Sequence, residues 1–166
     1  MSESPPGFLA SLIPCASYDA EALRSALDAL LAPLGGIGAY ASAGERVLVK
    51  PNFLLAAKPE RAVTTHPQLV LAVVDALRDA GVRDIAVGDS PATQASRTVA
   101  KRLGLIEALD ARGVPVINLD ESVVVSTPRD SVFHRLELSR AVLDADRVIN
   151  LPKLKSHAQM SMTLAV

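Results

Sequence analysis

Apolar positions change period several times along this chain. In "YDAEALRSALDALLAPL", Leu23, Ala26, Leu27, Leu30 and Leu31 recur at helical spacing behind Asp19 as N-cap, and Pro33 with the following glycines ends the helix. "ERVLVKPNF" is instead a continuous apolar run closed by Pro51, the pattern of a strand buried on both faces. "HPQLVLAVVDALRDAG" returns to helical period, with an inner stripe of Leu69, Val70, Val73, Val74 and Leu77 and a stop at Gly81. "RDIAVGDS" then reads as a strand, "TQASRTVAKRLG" as a helix and "VPVINLD" as a third strand. "SVVVSTP" and "FHRLEL" have the length of short edge strands or a hairpin. "SRAVLDA" is a short helix leading into the last strand, "DRVINLPKL".

Strands that alternate with helices and have apolar cores predict an α/β fold: a three-layer, Rossmann-like, mostly parallel sheet with helices on both faces. The chain reads as one domain over 1–166, with a helical lead-in over 1–44 and a core over 45–166. Ligands of such sheets bind beyond the carboxyl ends of the strands. That rule selects Lys50 and Asn52 after "VLV", Asp89 and Ser90 after "IAV", and Lys153, Lys155 and His157 after "VIN". The last three fall at every second position, so one continuous strand would point them to one side.

Composition narrows the function classes. The chain has 166 residues, 49% hydrophobic and 21% charged, which suits a folded domain. A net charge of -1 and 3% aromatic content disfavour nucleic-acid binding, which needs a basic field and stacking surfaces. Cys15 alone makes neither an internal disulfide nor a cluster ligand set. The N-terminal stretch lacks the basic residues of a signal peptide and is broken by Pro14, so the expected setting is cytoplasmic, without membrane contact.

Each candidate side chain has two readings. "GIGAYA" fits a dinucleotide fingerprint in spelling, yet a helix precedes it and a strand comes after it, the reverse of the order that holds pyrophosphate. In "VTTHPQL", Thr65 and Gln68 form a capping box, and His66 falls where exposed helix N–H groups attract anions. In "VGDSPATQ", Ser90 is an N-cap, while Asp89 either braces the turn or orients a ligand. Pro51 keeps Lys50 extended, so its amine has a defined direction. Two lysines and a histidine opposite a further lysine favour an anionic ligand or proton transfer over a solvated strand end. His66, His157 and Asp89 together also suit a transition metal, although nearby lysines repel a cation.

"VLVKPNF", "TTHPQLV", "IAVGDSPA" and "ADRVINLPKLKSHAQMSMTLAV", in that order, resemble the domain of unknown function 362 family over about Glu45 to Val166. The resemblance implies recurrent polar positions at Lys50, Asn52, Thr65, His66, Pro67, Asp89, Ser90, Lys153, Lys155, His157 and Thr163. It also implies that the chain is the N-terminal part of a larger family domain. Ferredoxin-like [4Fe–4S] modules accompany many family members, which implies redox-associated chemistry with the cluster held by further sequence or a partner. Three functions are therefore expected to compete: an enzyme domain binding a small anionic substrate or cofactor; a docking module for an iron–sulfur partner; and a metal-dependent isomerase or hydrolase.

Overall fold

The structure, a computed structural model, describes residues 9–91, 93–157 and 161–163. Four parallel strands form its centre: β1 (Arg46–Pro51), β2 (Asp84–Asp89), β3 (Val116–Asn118) and β6 (Arg147–Leu151), side by side in the order β3-β2-β1-β6. Val47, Leu48 and Val49 are all buried, as a strand covered on both faces requires. The register aligns Val49 with Val87 and Ile149, and Val87 with Val116, so these side chains share a face.

That face packs against α2 (Pro67–Asp79) through Val70, Val73, Val74 and Leu77. The same core takes in Val99 and Leu103 from around α3 (Ser96–Arg102) and Leu105 and Leu109 from around α4 (Ile106–Asp110). The lead-in helix α1 (Ala20–Leu31) packs on α2 and buries Leu23 and Leu27. On the other face, Leu48, Ala86 and Ile117 line a small cavity with Ala141, Asp144 and Ala145 of the short α5 (Arg140–Asp144) segment. The three layers expected from sequence are present, with α5 as the cover of the second face.

From β1 the chain adds β2 and then β3 on one side, and afterwards returns to place β6 on the other side of β1. The direction of winding therefore reverses between β1 and β6, where α/β sheets open a crevice at their carboxyl ends. Outside this sheet, β4 (Ser122–Ser126) and β5 (Arg135–Ser139) form the antiparallel hairpin that "SVVVSTP" and "FHRLEL" suggest.

The last segment differs from expectation. "DRVINLPKL" is not one strand: β6 ends at Leu151, and Pro152, which has no N–H to donate to a ladder, begins a break. The chain then forms a small hairpin of β7 (Lys155–His157) and β8 (Ser161–Thr163), in which Lys155 is opposite Thr163. Lys153 lies in the break, so the two-residue alternation covers only Lys155 and His157. No described helix is long and apolar enough to cross a membrane.

Candidate functional site

The loop from β1 to α2 is closed by two residues. The Asn52 N–H donates to Thr65 Oγ1 (2.9 Å), the Thr65 N–H donates to the Asn52 carbonyl (3.1 Å), and the Thr65 hydroxyl donates to the Leu151 carbonyl (2.6 Å) at the end of β6. Thr65 thus ties the two strand exits that flank the switch point and is almost wholly buried. It is not the N-cap of α2. His66 holds that position, and its Nδ1 accepts from the Gln68 N–H (3.3 Å). The Leu69 and Val70 N–H groups turn back to the His66 carbonyl, and Pro67 has none. The expectation that this helix start offers free N–H groups to an anion is therefore corrected: His66 itself occupies them.

Asp89, at the end of β2, is buried with both carboxylate oxygens engaged. Oδ1 pairs with Lys50 Nζ (2.7 Å) and Oδ2 accepts the Phe53 N–H (2.7 Å). Ser96 anchors the same residue from below, donating to the Asp89 carbonyl (2.6 Å) and accepting its N–H (3.1 Å). Ser90 is exposed and caps no described helix, because α3 begins only at Ser96 behind Ala95. The capping expectation for Ser90 fails because the helix starts at Ser96 and its N-cap position is Ala95.

Lys155 reaches back over 103 residues to donate to Asn52 Oδ1 (2.5 Å), and also donates to the Val63 carbonyl (3.2 Å). Burial lowers its basicity and Lys153 lowers it further, against the opposing pull of Asp89. Burial likewise lowers the basicity of His66, with Lys153 reinforcing the effect and Glu60 opposing it. These couplings bring Lys153, His66, Lys155 and Asp89 into one neighbourhood at the carboxyl edge. The side chains of His157 and Thr163 lie outside the described residues.

Residues 47–166 match the family described as domain of unknown function (DUF362). The chain belongs to that family. The thylakoid-associated protein of Synechocystis sp. is 44% identical to this DUF362 chain over 156 residues, which cover 94% of the chain and 48% of the relative. The chain thus spans about half the length of the curated relative it matches. No solved structure matches it.

Sequence reasoning missed one conspicuous neighbour. Tyr18, in the lead-in, stacks on His66 with ring centroids 3.6 Å apart and planes inclined by 13°. Nothing local to "SYDAE" signals this, because the partner lies 48 residues away. An iron–sulfur cluster finds no fit among the residues described. Cys15 is exposed with its Sγ on the Ser17 carbonyl (3.1 Å), and no three His, Cys, Asp or Glu groups among the described residues converge to hold a metal.

Proposed function

We propose that this domain is an enzyme domain that binds a small anionic substrate or cofactor at the crevice between the β1 and β6 exits. The observation that carries this reading is the charge balance there. Asp89 is consumed by Lys50 and a backbone N–H, whereas Lys155 is held by neutral oxygens alone among the described residues, beside Lys153. The Lys153 ammonium and the N–H groups of Lys155, an amine whose basicity burial lowers, suit a phosphate or carboxylate ligand, because the nearby Asp89 is already paired with Lys50. His66, kept neutral by burial and by Lys153 with its Nδ1 lone pair on the Gln68 N–H, presents its Nε2–H as a hydrogen-bond donor next to that charge. The redox role implied by the family resemblance would be met by an iron–sulfur partner rather than by Cys15.

Titration of the protein with pyrophosphate and with oxalate tests this reading calorimetrically. Saturable binding is expected, weakened about tenfold by Lys153→Met and further by added salt. Binding should tighten as pH falls through the lowered His66 titration, because protonation adds a cation beside Lys153, and His66→Gln should remove that tightening. Absence of saturable binding by either anion would remove the proposal.

A further inference from the structure

We propose that Lys155 is a nucleophilic amine that condenses with the carbonyl group of a small anionic aldehyde or 2-oxo acid, giving an imine at the switch point. This names the substrate class of the anion site and rests on that reading.

The hydrogen-bond set carries the argument. A neutral amine has two N–H donors and one lone pair, whereas an ammonium has three donors. The described partners of Lys155 Nζ are two acceptors, Asn52 Oδ1 and the Val63 carbonyl, and both are uncharged. They match the two donors of the neutral amine, and no third acceptor for Nζ is found among the described residues. The other lysines are placed differently. Lys50 is ion-paired with Asp89, while Lys58 and Lys101 are exposed. Partial burial, which outweighs the opposing pull of Asp89 and is reinforced by Lys153, is the setting in which a lysine becomes a nucleophile. Lys153 then attracts the anionic group of the same molecule.

The step balances without a redox partner. The Nζ lone pair attacks the carbonyl carbon and forms the C–N bond. The carbonyl oxygen leaves as water with the two amine hydrogens, and a C=N bond remains.

Incubating the full chain with glyoxylate and cyanoborohydride traps such imines as stable secondary amines, which peptide mass spectrometry assigns. Lys155 is expected to react well over tenfold faster than Lys58 and Lys101, beyond the roughly one-unit scatter of ordinary lysine basicities. Asn52→Asp places a carboxylate beside the amine and should slow Lys155 to the rate of the exposed lysines, with the circular dichroism spectrum unchanged. Equal rates at Lys155, Lys58 and Lys101 would overturn the proposal, and so would an Asn52→Asp variant that reacts like the wild type. Formaldehyde, which has no anionic group, separates the two readings. Equal preference for Lys155 with both aldehydes would keep the nucleophile and discard the anion site, preference with glyoxylate alone would keep the anion site and discard the nucleophile, and preference with both that is larger with glyoxylate supports both.

Discussion

Thr65 shows how one hydroxyl organises the site. It accepts the Asn52 N–H and donates to the Leu151 carbonyl, so a single buried atom joins the exits of β1 and β6. Thr65→Val keeps the shape and removes both bonds, leaving a donor and an acceptor without partners. We expect a loss of about 2–3 kcal/mol in urea denaturation with an unchanged m-value, whereas Thr65→Ser should stay within about 1 kcal/mol of the wild type. The sequence pattern assigns Thr65 to a capping box with Gln68, which the local spelling fits. What decides otherwise is a carbonyl 86 residues away. Lys50, Asn52 and Asp89 are legible for the opposite reason: their places depend only on where apolar runs stop, and local periodicity shows that directly. Which partner each finds, Asp89 for Lys50 and Asn52 for Lys155, depends on strand order, which no local pattern encodes.

Among the elements, the alternation of strand and helix is readable because each element's apolar period is local. The hairpin after Leu151 is not, since strands of three residues carry no periodic signal, and Pro152 marks a break without specifying the structure beyond it. The junction of β2 with β3 depends on a feature that the sequence shows only as a glycine. A Cβ built on Gly88 would lie 2.8 Å from the Ile117 carbonyl oxygen and 2.9 Å from Ile117 Cγ1, so β3 has to move to accept any side chain there. Gly88 is paired with Ile117 and precedes Asp89, so that shift reaches the carboxylate holding Lys50. Gly88→Ala should cost about 1–3 kcal/mol in thermal or chemical denaturation, in the range of other overpacked sites. It should also weaken anion binding more than a distant substitution of equal cost. If stability were unchanged, β3 would be far more compliant than this close contact allows.

At the scale of the whole molecule, stability is concentrated on one side of the sheet. The buried cluster joins β1, β2, α2, and the residues around α3 and α4, whereas the β4–β5 pair stands as a separate two-stranded sheet. Between its strands, Val132 and Phe133 are largely exposed, and few of its side chains reach the core. Two strands without a packed face are marginal on their own. Native-state hydrogen exchange should therefore be graded. Amides of Val47–Val49 and Ile85–Val87 should open only with global unfolding. Those of Val123–Val125 and Leu136–Leu138 that pair across the hairpin should open locally, about a hundredfold faster or more. The gradient has a functional side, because Lys50, Asn52, Thr65 and Asp89 all hang from the protected strands and the loop they pin. A rigid frame of this kind holds Asn52, the acceptor for Lys155, in place while the β4–β5 hairpin breathes. Uniform protection across both sheets would show instead that the hairpin folds as one cooperative unit with the core, and the rigidity of the crevice would then need a different origin.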